Sequence, residues 1–278
     1  MTNLNLDLSS YLQRIGYDGP LETNLETLRG LHRQHTLAVP FENLDVQMGV
    51  PLDTSVEAAY DKIVYRRRGG WCYEQNGLFG GMLSQLGYEV TRVAAGVMMH
   101  TKGADRFGNH LCLIVRIPGT DQPWLVDVGY GGSMLEPIPL APGKHLQAPY
   151  SLEISTLADG WLRFSESVVD DSPFCFDFEP KAANESLLDA KCRELQESPE
   201  SSFVLSLVAQ RRTPTEHLSL RGRVLRRYGV DGSHERLLES PQQLVDTLAS
   251  TFSLEAPKVA DLWPRICARH EALFEDRN

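Results

Sequence analysis

The sequence predicts an α+β protein in three consecutive blocks: a helical lobe, a barrel or sandwich of short strands, and a mixed block with a second small sheet and further helices. Three observations carry this expectation. Apolar residues recur at helical spacing as far as residue 88, short β-type runs separated by turn residues take over from Tyr88, and helical periodicity returns near the C-terminus.

In order along the chain, Leu8, Tyr11, Leu12 and Ile15 share one face of a first helix, and Leu25, Leu28 and Leu31 mark a second that Asn24 can cap. PFENLD, Pro40 to Asp45, reads as a helix-ending turn with a buried Phe41. A third helix carries Val56, Ala59, Tyr60, Ile63 and Val64 after Thr54 or Ser55. A fourth begins near Cys72, turns Leu78, Phe79, Met82, Leu83 and Leu86 inward, and stops at Gly87. Strands are expected over VTRVAAGVMM, HLCLIVRI, PWLVDVGY, YSLEIS, WLRFSES and FCFDFEP. The polar stretch from Ala182 to Ser202 should hold a helix around Leu187 to Leu195. FVLSLVAQRR and LSLRGRVLRRY then suggest the second sheet, and PQQLVDTLAST and APKVADLWPRICARHEALF two closing helices, with Pro264 breaking or kinking the last.

Composition narrows the function classes. The 37 acidic and 27 basic residues give a formal charge of -10, which argues against nucleic acid or an anionic membrane as the main partner. No apolar run approaches the ~20 residues of a membrane span, and MTNLNLDLSS resembles no secretory leader, so a cytoplasmic location is expected. Five scattered cysteines without a CxxC pair suggest free thiols in a reducing compartment, with neither disulfides nor a metal site.

The stretch RRRGGWCYEQNGLF is the most informative, because two glycines lead directly into Cys72 at a helix start. Unpaired amides there carry partial positive charge, which favours a thiolate and can hold an oxyanion. Gly69 and Gly70 would leave room for a ligand. A nucleophilic cysteine needs a base and the base an orienting group. His110 opens the strand HLCLIVRI and Asp127 lies in the apolar PWLVDVGYGG, where a buried carboxylate calls for a cationic partner. Solvated or capping roles are expected for the other seven histidines and packing roles for the other four cysteines. Arg68 is expected to pair with a carboxylate such as Glu42.

RGGWCYEQN resembles the RGGxCxExN signature of the arylamine N-acetyltransferases, bacterial type, and PFENLD is similar to their first motif. His110, Asp127 in VDVGYG, and SSFVLSLVAQRRTP resemble further family segments, so the likeness runs to about residue 220. The resemblance implies a helical N-terminal domain at 1–88 bearing the nucleophile, a central β-barrel at 89–190 bearing His and Asp, and a C-terminal α/β lid at 191–278. It also implies a cysteine-protease-like Cys72, His110 and Asp127 core. Acetyl-CoA would serve as co-substrate with no permanently bound cofactor. Its acetyl group would pass by a ping-pong route through acetyl-cysteine to the nitrogen, or hydroxylamine oxygen, of arylamines, arylhydrazines and N-hydroxyarylamines, in keeping with xenobiotic metabolism. Motif position implies acceptor contacts at Phe41 and Tyr130, where the family often has Phe, and a CoA contact at Thr213. A homodimer is left open. A thiol hydrolase or transglutaminase-like enzyme could use the same three residues, but a papain-like peptidase would not carry the extended motif; a non-catalytic aromatic-binding protein would not need the triad.

Overall fold

The computed structural model describes residues 6–168 and 174–274. Residues 1–5 and 275–278, the ends of the first and last expected domains, lie outside them.

Helix α1 (Leu8–Ile15) is capped by Asp7 and closed by Gly16 at φ 70°, and α2 (Leu25–Ala38) is capped by Asn24 Oδ1, which accepts from Thr27 N at 2.9 Å. PFENLD departs from the expected simple turn. Pro40 prevents continuation of α2, and the extended chain beyond it forms a short strand, β1 (Phe41–Glu42), paired with a distant part of the protein. One helical turn, α3 (Leu44–Gln47), follows; it has too few residues to show a period. Helix α4 (Val56–Tyr60), capped by Ser55, runs on through a wider π turn over Asp61–Tyr65. Helix α5 (Cys72–Gln85) is buried for most of its length, with Gly87 beyond its end at φ 89°. Tyr11, Ile15, Leu28, Leu31, Phe79 and Met82 are among the residues that form the first core.

The second region is an eight-stranded antiparallel sheet built from β2 (Glu89–Val97), β3 (His110–Arg116), β4 (Pro123–Val126), β5 (Ile138–Pro139), β6 (Gly143–Gln147), β7 (Tyr150–Thr156), β8 (Leu162–Ser167) and β9 (Phe174–Phe178). A short helix, α6 (Met99–Lys102), interrupts the β2–β3 connection. The spatial order is β5-β4-β3-β2-β9-β8-β7-β6. This sheet curls into a nearly closed barrel. At the seam, the Gln147 amide accepts from the Leu135 and Glu136 amides and donates to Glu136 O. β5 and β6 were not expected: β5 has two residues, and β6 is largely exposed, so neither shows alternation. α5 lies against β2 and β3, which brings its first turn to the barrel's end.

Helix α7 (Glu185–Glu197), capped by Asn184, leads to the last region. The start of FVLSLVAQRR is a helical turn, α8 (Ser202–Leu205), because Ser201 Oγ caps it by accepting from Phe203 N; the strand begins only at Val208. β10 (Val208–Arg212), β11 (His217–Arg221), β12 (Val224–Gly229) and β13 (Gly232–Leu237) form a sheet whose outer strand beside β10 is β1. Asn43 secures that long-range pairing, its Nδ2 donating to Phe203 O and Ser206 O and its Oδ1 accepting from Val208 N at 2.7 Å. α9 (Pro241–Phe252) and α10 (Trp263–Phe274) complete the chain. The expected closing helix is broken here into a 3₁₀ segment over Pro257–Leu262 and α10 from Trp263, with no kink inside α10 at Pro264. That proline lies in the first turn, where a missing N–H costs no helical hydrogen bond. The buried Arg212 joins lid to barrel by donating to Gln147 O, Ala148 O and Glu216 O. Among the described residues no helix is long and apolar enough to cross a membrane.

Candidate active site

The start of α5 is set by buried charge. Glu74 reaches back to accept from Trp71 N at 3.1 Å, and its carboxylate also binds Lys62 Nζ at 2.9 Å. Lys62 meets Asp45 at 2.8 Å, and Arg68 binds both Glu42 and Asp45, so the expected Arg68–Glu42 pair belongs to a five-residue network. Burial opposes the charge of Lys62, but Glu42, Glu74 and Asp45 more than offset it and raise its pKa. Burial raises the Glu74 pKa against the pull of Lys62. Removing one member of such a network would leave an uncompensated buried charge, at a cost of about 3–5 kcal/mol.

Gly69 and Gly70 do not clear a path for a ligand. A Cβ at Gly69 would stand 2.2 Å from Pro40 O, and one at Gly70 would stand 3.0 Å from Glu74, so both glycines admit the protein's own chain. The glycine that matters beside Cys72 is Gly129. Its Cβ would lie 2.6 Å from Cys72 Cα and 2.8 Å from Asn76 Nδ2.

That close approach places the turn after β4 flat against the first turn of α5. β3 and β4 run antiparallel with Leu113 opposite Val126; continued one step, that register sets Asp127 opposite Cys112, and His110, two residues away on the same face of β3, is its diagonal neighbour. His110 Nε2 and Asp127 Oδ2 are 2.7 Å apart, and both residues are 2% exposed. Asp127 Oδ1 accepts from Asn76 Nδ2 at 2.8 Å and from Gly129 N at 2.9 Å. Asn76 is itself fixed, donating to Leu111 O and accepting from Val128 N at 2.9 Å. With Nε2 engaged, the other ring nitrogen of His110 is the one left for Cys72. Burial opposes protonation of this imidazole, but Asp127 and then Cys72 overcome it and hold its pKa up at about 10. The cluster can therefore present a sulfur beside an imidazolium whose far nitrogen is oriented by a carboxylate.

Gly129→Ala should force this turn away from Cys72, because the atom it meets is backbone. A loss of about 1–3 kcal/mol in urea unfolding and slower alkylation of Cys72 by iodoacetamide are expected. Wild-type values for both would show that the turn does not need its close approach.

Other expected site residues lie as follows. Phe41 is buried among Trp71, Cys72 and Tyr73, its ring 6.2 Å from Phe203. Tyr130 stands 5.1 Å from the His110 ring and stacks on Phe174 at 5.5 Å. Thr213 lies in the turn after β10, its hydroxyl accepting from Glu216 N at 2.9 Å beside Pro214 and Thr251. A cleft of about 780 Å³ runs elsewhere, from Phe174, Phe203 and Val208 to a wall of Arg221, Arg223 and Arg269.

Three histidines depart from the expected solvated or capping roles. His32, His35 and His217 are buried, and burial lowers their pKa values to about 4, about 3 and about 3. Neutral His32 belongs to the site's support, with Nε2 accepting from Asp127 N at 3.3 Å and Nδ1 facing Leu135 O at 3.1 Å. Asn76, Gly129 and His32 were missed as supporting residues. Only the polar Asn76 in an apolar helix left a signal for this role. Cys112, Cys175 and Cys192 are buried, and Cys267 is partly buried, as packing roles require.

The family model described as N-acetyltransferase matches residues 24–259. An arylamine N-acetyltransferase of Mycobacterium tuberculosis is 35% identical over 269 residues, covering 94% of this chain and 92% of the relative. One from Mycolicibacterium smegmatis is 35% identical over 92% of this chain and 94% of its own length. The solved structure of the Mycobacterium marinum arylamine N-acetyltransferase in complex with CoA has a TM-score of 0.85 and 36% identity, covering 95% of this chain and 98% of that one.

Proposed function

Because the chain belongs to the arylamine N-acetyltransferase family, and is thus an acyltransferase with acetyl-CoA as co-substrate, we propose that it works by ping-pong transfer through acetyl-Cys72. The observation that carries this reading is the buried His110–Asp127 pair at 2.7 Å, packed through Gly129 against Cys72 at the start of α5.

In the first half-reaction, the Cys72 thiolate attacks the thioester carbonyl carbon. The oxyanion is held by backbone amides at the α5 N-terminus, and the bond to the CoA sulfur breaks as that sulfur takes the His110 proton. His110 is then neutral. In the second, an aromatic amine or hydrazine nitrogen, or an N-hydroxyarylamine oxygen, attacks the acetyl-Cys72 carbonyl and gives its proton to His110. The carbon–sulfur bond breaks, and the thiolate–imidazolium pair returns. Asp127 holds the imidazole orientation and stabilises its cation.

We place the CoA phosphates against Arg221, Arg223 and Arg269 in the long cleft, since a cationic wall in a protein of charge -10 is suited to a polyanionic ligand, and Phe174 and Phe203 lead from it towards His110 and Trp71. Thr213, in the turn after β10, is proposed as a further CoA contact. Phe41 and Tyr130 form aromatic walls for the acceptor, and in this reading the nucleophile domain ends at residue 88 and the lid begins after residue 190. Initial rates with varied acetyl-CoA and anisidine should give parallel double-reciprocal lines. Converging lines would contradict the ping-pong order.

A further inference from the structure

The aromatic group beside His110 ends in polar atoms with no use in the two half-reactions. Tyr130 is enclosed by His110, Phe164, Phe174 and Phe176, with ring separations between 5.0 and 5.8 Å. Its hydroxyl is buried and has no hydrogen-bond partner among the described residues, and neither has Glu166 Oε2. Glu166 stands opposite Phe174 on β9, two residues from Phe164 on the same barrel-facing side of β8. Burial pushes its carboxyl up to about 8, and the Ser133 Oγ likewise has no hydrogen-bond partner among the described residues. Ser133 is itself buried, three residues after Tyr130.

Burying such groups without full partners is costly, and apolar residues would close the barrel end at no such cost. Polar atoms kept in that state beside a reacting imidazole are suited to a ligand that completes their hydrogen bonds. We infer that Glu166, Tyr130 and Ser133 form the polar end of the acceptor pocket and select aromatic acceptors that carry a second hydrogen-bond donor or cationic group over those with only apolar substituents. The inference rests on the acetyl-transfer reading above. An acceptor whose reacting nitrogen meets acetyl-Cys72 lays its ring along Tyr130 and Phe174 and directs its far substituent to Glu166. An apolar substituent there leaves the carboxyl unpaired, which penalises it relative to a donor of the same size.

The test compares kcat/KM for 4-(aminomethyl)aniline and 4-ethylaniline, which have similar shape, with each rate referred to Cys72 acetylation in the same protein. The wild type should favour the cationic acceptor. Glu166→Leu should reduce that preference about tenfold or more, with a smaller reduction in Glu166→Gln and in Tyr130→Phe, which keeps the ring stacking. Glu166→Gln is nearly isosteric, so it keeps the comparison open if the leucine variant misfolds. The same preference in the wild type and every folded variant would overturn the inference and leave these groups a structural role only. If wild-type Cys72 fails to become acetylated at all, the transfer reading falls, and this inference with it.

Discussion

Cys72→Ala is expected to remain folded and to lose acetyl transfer to any acceptor, a fall of about 10⁵-fold or more, since no other group in the cluster can carry the acetyl. The substitution removes a single sulfur from the first turn of α5 and leaves the Glu74–Lys62 and His110–Asp127 pairs in place. Its thermal unfolding should therefore stay near that of the wild type. Cys112→Ala is the control. Cys112 is fully buried with its Sγ near Val93 O at 3.8 Å, so its loss should lower stability by about 1–2 kcal/mol without abolishing transfer. A folded but inactive Cys112 variant, or an active Cys72 variant, would mean that the wrong thiol had been assigned. Stopped assays with acetyl-CoA and anisidine distinguish these results.

Asp127→Asn should reduce transfer by about 10³–10⁴-fold. The reason is geometric. Asp127 Oδ1 receives two N–H groups, from Asn76 and Gly129, so an amide at this position must turn its NH₂ towards His110 Nε2. His110 would then accept at Nε2 and carry its proton on the nitrogen that serves Cys72, leaving it unable to take a proton from thiol or amine. The substitution also separates a buried charge pair, which costs about 3–5 kcal/mol. That cost should depend on pH. The folded His110 pKa of about 10 is above its ordinary value of 6.5, so the pair's contribution is fully present below about pH 6.5 and fades as pH rises through about 10. Urea unfolding of wild type and variant should differ most near pH 6 and least near pH 10. A difference that grew towards alkaline pH would contradict the assignment of a protonated His110.

The parts of this fold legible in the sequence were those with a period or a capping residue. α1, α2, α5 and α7 show both, and the strands that alternate or run apolar, such as β3 and β4, were visible for the same reason. β1, β5, β6 and β13 were not: β1 is held extended by pairing with the distant β10, β5 has only two residues, and β6 and β13 are largely exposed and show no alternation. Pro264 marks where the expected last helix divides into a 3₁₀ segment and α10, and it sits in the first turn of α10, the helical position that suits proline. At the site, Cys72, His110 and Asp127 stand out by residue type and flanking motif. Gly69 and Gly70 lie in the right segment for a different reason, as Gly69 admits the Pro40 carbonyl and Gly70 the Glu74 side chain. His32 carries no local sign of burial; its environment is made by Leu135 and Asp127, about a hundred residues away in sequence. Glu166 is equally silent, since an alternating strand with one acid at its end is what a solvated edge would also show.

The central claim is that the acetyl group rests on Cys72 between donor and acceptor. The intact mass of the protein after mixing with acetyl-CoA, followed by addition of anisidine, tests it most directly. A single acetyl adduct that maps to Cys72 and disappears with formation of N-acetylated product is the result expected. No adduct, or an adduct on another residue, would contradict the account, and an adduct removed by water but not by the amine would make the enzyme a thioester hydrolase in practice.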